Sequence, residues 1–371
     1  MIVRTLECKD YRNYRNLKMD FDPGINLLYG DNAQGKTNAL EAIFLCAAGK
    51  SHRGTRDREL ISFDKEEAHV KLVIEKKGVP WRIDLHLKKG RAKGVAVNGT
   101  PIRKVTELYG IFHAIFFSPE DLAIIKNAPS ERRRFLDLEL CQLDRIYTHN
   151  LLHYNQVVNQ RNKLLKDLER DPQLLDTLDV WDEQMVRYGL PVIERRRRFL
   201  AELDEIMTKI HASLTGGKEE IHLTYAANIS EEMFVRKLAS GRERDRGAKI
   251  SLTGPHRDDM IFEINGVDVR HFGSQGQQRT AALSLKLAEI ALVKERTKDT
   301  PVLLLDDVLS ELDSGRQERL LQSIEGIQTM ITCTGLDDFA EHCFQIDKVF
   351  HIENGGLAEE NAGKLGGFDG Q

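Results

Sequence analysis

The segment Ile25-Asn26-Leu27-Leu28-Tyr29-Gly30-Asp31-Asn32-Ala33-Gln34-Gly35-Lys36-Thr37-Asn38-Ala39-Leu40-Glu41-Ala42-Ile43-Phe44-Leu45 decides the fold. A short apolar run, Ile25 to Tyr29, leads straight into a glycine-bounded loop, Gly30 to Thr37. Asn38 to Leu45 then reads as helix. Strand, loop and helix in that order are the context a phosphate-binding loop requires. The glycines let backbone N–H groups turn inward around a phosphate chain, and the helix start adds its partial positive charge. Lys36 is expected across the terminal phosphates, and the Thr37 hydroxyl on Mg²⁺. Gly30, Asp31, Asn32, Ala33, Gln34, Gly35, Lys36 and Thr37 are therefore the expected nucleotide-binding residues. A chance match to the short pattern would not bring the flanking strand and helix with it.

A second stretch complements the first. Pro301-Val302-Leu303-Leu304-Leu305-Asp306-Asp307 is an apolar run ending in two carboxylates. It reads as a buried parallel strand that delivers acidic side chains to its C-terminal edge. Asp306 is expected to hold Mg²⁺, usually through water, and Asp307 to orient or deprotonate an attacking water.

Phe272-Gly273-Ser274-Gln275-Gly276-Gln277-Gln278-Arg279 opens a further helix, whose face shows Ala281, Leu285, Ala288 and Leu292. Ser274 and Gln277 form a capping box, and the first N–H groups of that helix make a second anion site. One nucleotide has no need of two such sites in one subunit. The economical reading is that they act across two copies of the chain.

Composition narrows the partners. The 371 residues carry 54 Lys and Arg against 58 Asp and Glu, a net charge of −4, so a nucleic-acid surface would be a local patch. Cys8, Cys46, Cys141, Cys333 and Cys343 show neither metal-ligand spacing nor a paired framework, which points to a reducing cytosol. No apolar run approaches the roughly 20 residues that cross a bilayer, and the first residues lack a signal-peptide pattern. A cytoplasmic protein without a membrane partner is expected.

The remaining chain reads as alternating lobes. The first thirty residues are β structure, with Leu17, Met19 and Phe21 at the two-residue period and a turn at Asp22-Pro23-Gly24. The loop Lys9 to Arg15 mixes aromatic and basic residues. It is open between packing on an adenine base, touching DNA phosphates, and a solvated hairpin tip. Ser51 to Arg58 is a basic loop that either reaches the phosphates, through Arg53 and Arg56, or is ordinary surface. A β meander spans Ala68 to Val97, with turns at Lys77-Gly78, Lys89-Gly90 and Asn98-Gly99, and Ile111 to Phe117 reads as a buried strand. One long helix is expected from Glu131 to Arg170. A second runs from about Asp179 to Leu214, kinked or divided at Pro191, so that the pair makes a projecting hairpin. Arg132-Arg133-Arg134 and Arg195-Arg196-Arg197-Arg198 on these helices read as solvated faces, with partners such as Glu202 for Arg198, or as a DNA-phosphate patch. Arg242 to Arg246 reads as a charged loop, and Met260 to Ile264 as a strand ending at Asn265-Gly266. The tail from about residue 354, with Gly355-Gly356 and Gly366-Gly367, reads as frayed.

The order P-loop, Ser-x-Gly-Gln, Asp-Asp, then Ser310-Glu311-Leu312-Asp313 resembles the ATP-binding cassette heads, in particular their SMC-like branch. Within that branch the sequence is similar to the RecF family of bacterial recombination mediators. The resemblance spans essentially the whole chain. It rests on Leu6 to Arg15, Gly30 to Thr37, Ser51-His52-Arg53, Phe117-Ser118-Pro119-Glu120-Asp121-Leu122, Gly254-Pro255-His256-Arg257-Asp258-Asp259, Ser274 to Gln278 and Leu305-Asp306-Asp307. True SMC proteins also need hundreds of coiled-coil residues between P-loop and signature, where residues 38–273 stand here.

The resemblance implies an α/β fold: a P-loop NTPase with an ABC/SMC-type head, an inserted helical lobe and an antiparallel β subdomain. Residues 1–120 with 296–371 would form the ATP-binding lobe, and 121–295 the helical lobe carrying the signature helix. It further implies that Ser274, Gln275, Gly276, Gln277 and Gln278 act on the partner subunit's ATP, with Ser310 and Asp313 in a dimer loop. An ATP-induced homodimer would clamp double-stranded DNA near gaps or junctions and, with RecR and RecO, promote RecA loading. Roles in replication restart and SOS induction are implied as well.

Two departures from the general cassette pattern point to slow, switch-like hydrolysis. Asp307 stands where most cassettes carry Glu, and Thr334 stands at the switch position in place of His. The rivals are an energy-coupling ATPase of a membrane transporter and a scaffold in which ATP is only structural.

Overall fold

A computed structural model describes residues 1–335 and 346–358. Cys343 and the Gly366-Gly367 part of the tail lie outside the described residues.

The first part of the chain folds as β1 (Ile2–Tyr11), β2 (Tyr14–Asp20), β3 (Ile25–Tyr29), α1 (Lys36–Ala48), β4 (Glu67–Lys76), β5 (Val79–Lys88), β6 (Gly94–Val97), β7 (Thr100–Pro101) and β8 (Ala114–Phe117). Then come α2 (Leu122–Lys126), α3 (Pro129–Leu143), α4 (Arg145–Asp167), α5 (Leu178–Thr215), β9 (Ile221–Ala226) and α6 (Phe234–Ala248). They are followed by β10 (Asp259–Ile264), β11 (Val267–Asp268), α7 (Val269–Phe272) and α8 (Gln275–Thr297). The chain returns with β12 (Val302–Asp306), α9 (Ser314–Ser323), β13 (Thr329–Cys333), β14 (Lys348–Glu353) and β15 (Gly356–Leu357). It divides into two compact units, Met1–Pro119 with Pro301–Gln371, and Glu120–Thr300.

Two six-stranded sheets build the first unit. One has the order β15-β14-β3-β13-β12-β8, parallel throughout except for the antiparallel β15. Every residue of β12 and β13 is buried, as strands covered on both faces demand. This order puts the end of β3, where the glycine loop starts, two strands from the end of β12, where Asp306 sits. The other sheet has the order β2-β1-β4-β5-β6-β7 and is antiparallel, with one face buried through Leu6, Cys8, Val70, Leu72, Leu85 and Leu87. The strand expected from Ile111 begins only at Ala114, because Gly110, at a φ of 81°, turns the chain just before it.

In the second unit, α3, α5 and α8 pack with β9 and β10 around Leu136, Leu140, Phe199, Leu203, Met207, Phe262 and Leu285. Three readings change here. The helix expected from Glu131 to Arg170 breaks at Asp144, whose carboxylate accepts from Ile146 N and Tyr147 N and caps α4. Pro191 does not divide α5, which runs 38 residues without interruption. Burial of Met185, Val192, Ile193 and Phe199 on both sides holds the helix through the lost N–H. The expected pairing of the two long helices is present: Tyr154, Val157 and Val158 of α4 pack on Met185 and Ile193 of α5, while Phe199, Leu203 and Met207 further along α5 join the core of this unit. Residues Arg242 to Arg246 lie inside α6, where buried Phe234 and Leu238 anchor one face and Asp245 pairs with Arg161.

Candidate nucleotide-binding site

The glycine loop is held from three sides. Gly30 has a φ of 146°, and a Cβ there would meet the Ile352 carbonyl oxygen at 2.3 Å. Gly35, at a φ of 122°, caps α1 and gives its carbonyl to the Tyr14 hydroxyl at 2.7 Å. Asn13 Nδ2 donates to the Gln34 carbonyl at 2.7 Å, and the Asn354 N–H donates to Gln34 Oε1 at 2.6 Å. The hairpin tip between β1 and β2 and the turn between β14 and β15 thus brace the loop. These supports were not legible in the sequence, because both lie far from the motif along the chain.

Lys36 is buried, its ammonium donating to the Gly30 carbonyl at 2.5 Å and the Asp31 carbonyl at 3.0 Å. The loop curls around the lysine, two of its carbonyls accepting from the ammonium. Thr37 Oγ1 donates to Asp306 Oδ1 at 2.8 Å, and Thr332 Oγ1 donates to the same oxygen at 2.8 Å. Sequence-distant residues from α1, β12 and β13 thus meet at one point.

Burial raises the Asp306 carboxyl above its ordinary range despite the hydroxyl donors from Thr37 and Thr332; the charge of Asp307 adds to the rise, and Arg53 opposes it. A dication would favour the ionised form. The Thr37 hydroxyl and Asp306 carboxylate are hard oxygen donors of the kind Mg²⁺ takes. Their 2.8 Å separation matches the roughly 3 Å between neighbouring oxygens of an octahedron with bonds of about 2.1 Å.

Asp307 holds a left-handed backbone, with a φ of 52°, fixed by its N–H donating to Thr332 Oγ1 at 2.9 Å. Such a conformation is uncommon outside glycine and is tolerated best by Asn and Asp. It turns the residue into a cleft of about 210 Å³ lined by Asn32, Asp307, Ser310, Thr332 and Thr334. The Ser310 hydroxyl donates to the Asp307 carbonyl, while Asp313 caps α9 through Arg316 N and pairs with the Arg316 side chain.

In the Lys9 to Arg15 loop, Lys9, Asn13 and Arg15 are exposed, as in the hairpin-tip reading, while the aromatic residues are not available to a base. Tyr11 and Tyr14 are fully buried and cannot stack on a base. Arg12 forms a two-pronged pair with Glu41, Nε to Oε2 at 2.8 Å and Nη2 to Oε1 at 2.9 Å. Ser51 donates to the same carboxylate at 2.5 Å. Burial alone would raise Glu41, but the hydrogen bonds from Arg12 and Ser51 outweigh it and hold the carboxyl below its usual range. A lone carboxylate in the apolar run of α1 was the signal for this bracket. His52 stacks on Phe116, with ring centroids 3.7 Å apart, while Arg53 and Arg56 are exposed.

At the second anion site, Ser274 Oγ accepts from the Gln277 N–H at 3.2 Å, and Gln277 Oε1 accepts from the Ser274 N–H at 2.9 Å. The capping box is complete, with Ser274 and Gln275 exposed and Gly276 half-buried. Gln278 is turned inward, donating to the Val269 carbonyl at 3.1 Å, which removes it from the expected ligand-facing set.

The arginine runs are not phosphate patches as wholes. Arg132 is buried in a two-pronged pair with Asp259, and Arg133 donates to the Asp258 carbonyl. Arg196 is buried among Tyr147, Asp137, Asp258 and the Pro255 carbonyl. Arg195 pairs with Asp144, Arg197 with Glu231, and Arg198 with Glu194 instead of Glu202, which holds Arg296.

Comparison with known proteins agrees with this geometry. The family model described as RecF/RecN/SMC N terminal domain matches residues 2–357. A protein of Lachnoclostridium phytofermentans named DNA replication and repair protein RecF is 56% identical over 355 residues, covering 96% of this chain and 99% of its own. The chain belongs to the RecF family. A RecF of Lachnospira eligens is 55% identical over 363 residues, covering 97% of this chain and 100% of its own. A solved structure described as the recombination mediator protein RecF with ATP in the RecFOR pathway superposes with a TM-score of 0.90 at 35% identity, covering 96% of this chain and 97% of that one. A Pyrococcus furiosus Smc head domain, at a TM-score of 0.54 and 17% identity, shares the fold. The α/β head of the SMC-like cassette ATPases is thereby established for this chain. Among the described residues no helix is long and apolar enough to cross a membrane, and no disulfide involves Cys8, Cys46, Cys141 or Cys333.

Proposed function

We propose that this chain is an ATP-dependent DNA-binding switch of recombinational repair. ATP bound at Gly30 to Thr37 of one subunit is closed over by Ser274, Gln275, Gly276 and Gln277 of a second, giving a two-fold dimer with two nucleotides. The observation that carries this reading is the complete capping box at the start of α8, with Ser274 and Gln275 exposed at the helix N-terminus while Gln277 Nε2 donates to Glu219 at 3.1 Å. A γ-phosphate brought to this helix N-terminus meets its free N–H groups and partial positive charge. Its loss on hydrolysis removes the differential affinity that holds the closed state.

Lys36 neutralises the terminal phosphates, Thr37 and Asp306 hold Mg²⁺, and Asp307 orients the attacking water. Bound Mg²⁺ supplies charge neutralisation between the phosphates. Asp307 reaches one methylene less far than Glu, and Thr334 replaces an imidazole, so turnover is slow and suits a timer. Ser310 and Asp313 border the dimer contact, and Arg53 contacts phosphate. The dimer clamps duplex DNA at gaps or junctions and, as the RecFOR name of the solved relatives suggests, works with RecO and RecR towards RecA loading in the cytoplasm.

Duplex DNA affinity measured with and without ATP tests the reading against a transporter ATPase. ATP is expected to tighten binding in the parent and not in Lys36→Arg, with no membrane partner added. Equal affinity with and without nucleotide would overturn it.

A further inference from the structure

The outer face of the antiparallel sheet carries a cluster that nucleotide chemistry does not use. The pairing of β4 with β5 sets His69 directly opposite His86. Glu67 lies two residues before His69, on the same face. The imidazole rings stack with centroids 4.3 Å apart and planes 9° from parallel, and Glu67 Oε2 is 3.2 Å from His86 Nε2. One ligand atom from each of the three residues lies within 4.8 Å of the others. We propose that Glu67, His69 and His86 form a binding site for a first-row divalent cation, Zn²⁺ fitting best.

The donor set decides the class of metal. Two imidazoles and a carboxylate, with water in the fourth place, suit Zn²⁺, whereas Mg²⁺ and Ca²⁺ take oxygen donors. Zinc bonds of about 2.0–2.1 Å require ligand atoms about 3.3 Å apart in a tetrahedron. The present spread closes by side-chain rotation, because His69 is exposed and Glu67 and His86 are half-buried.

The backbone does not need to move. Ala68, Val70, Leu85 and Leu87 are buried on the opposite face and lock the register, since a one-residue slip would bury both histidines. The cation has one direct competitor. Lys88 Nζ lies 3.2 Å from Glu67 Oε2, and Lys9 faces His69 across β1. Among the neighbouring charges, Lys71 pairs with Glu7 and Arg82 with Asp84. A bound metal would clip β4 to β5 at the end of the hairpin away from the Lys77-Gly78 turn.

The test uses the full chain, stripped with a chelator and titrated with zinc sulfate against a chromophoric competitor, with Co²⁺ as spectroscopic probe. One equivalent is expected to bind, with cobalt d–d bands and no thiolate charge-transfer band. His69→Gln and His86→Gln should each weaken binding about tenfold or more, since even losses outside the ligand shell cost that much. Lys88→Gln, which frees Glu67, should tighten it. These side chains face solvent, so an unchanged circular dichroism spectrum and unchanged ATP binding confirm that the variants are folded. No bound zinc in the parent, a thiolate spectrum, or unaltered binding in the His69→Gln/His86→Gln double variant would overturn the site. None of these readouts depends on dimerisation or DNA binding.

Discussion

Replacing Arg196 by Ala tests how the run Arg195 to Arg198 is used. The Arg196 guanidinium is 1% exposed and reaches Tyr147 Oη at 2.9 Å, the Pro255 carbonyl at 2.6 Å, Asp137 at 2.6 Å and Asp258 at 3.1 Å. Removing it leaves Asp258, 1% exposed at its side chain, without its cation. Breaking a buried ion pair from one side costs about 3–5 kcal/mol. Two places along, Arg198 pairs with Glu194 while both side chains are more than half exposed, and such i, i+4 pairs contribute about 0.3–0.5 kcal/mol. Urea unfolding followed by circular dichroism should therefore show a large fall in midpoint for Arg196→Ala and almost none for Arg198→Ala. The salt dependence of DNA binding, measured on whichever variants remain folded, separates lost stability from a lost phosphate contact. Equal midpoints for the two variants would refute the buried-network reading, and a change in salt slope for Arg196→Ala with unchanged stability would return the residue to the DNA surface.

Asp307→Asn keeps the left-handed turn, which Asn also tolerates, and removes the base; ATP turnover should fall by about two orders of magnitude, the scale of general-base catalysis, while nucleotide binding persists. Parental turnover in a phosphate-release assay would remove Asp307 from the chemistry. Burial lowers the His256 pKa to about 4, and the ring sits between the Tyr154 hydroxyl and the Ser251 carbonyl. As pH falls, the unfolded chain takes up this proton first. The stability is thus whole above the ordinary value of 6.5 and declines towards about 4, by about 3 kcal/mol in all. His256→Gln should flatten that part of the stability–pH curve, and an unchanged slope would contradict the assignment.

What the sequence disclosed follows from how local each signal is. The loop at Gly30 to Thr37, the run ending in Asp306-Asp307 and the capping box at Ser274 are each written in consecutive residues, so their chemistry could be read before any folding was known. The meeting of Thr37 with Asp306 follows from the shared Mg²⁺ role read for both, whereas the bracket of Gln34 by Asn13 and Asn354 joins residues from distant parts of the chain, and nothing nearby in sequence announces it. The arginine runs misled for a related reason. A helix turns each successive residue by about a quarter circle, so neighbouring arginines face different surroundings. Arg196 points inward to acids on other elements while Arg198 points to solvent. Asp144 broke a long hydrophobic period because a cap needs one residue and the period is judged over many.

Sedimentation of the purified chain with Mg²⁺ and a slowly hydrolysed ATP analogue, beside Ser274→Arg, tests the cross-subunit nucleotide most directly. The parent should double in mass with the analogue and stay single without it, while Ser274→Arg binds the analogue and stays single. A parent that remains one copy in every nucleotide and DNA condition, or a Ser274→Arg variant that dimerises normally, would contradict the account.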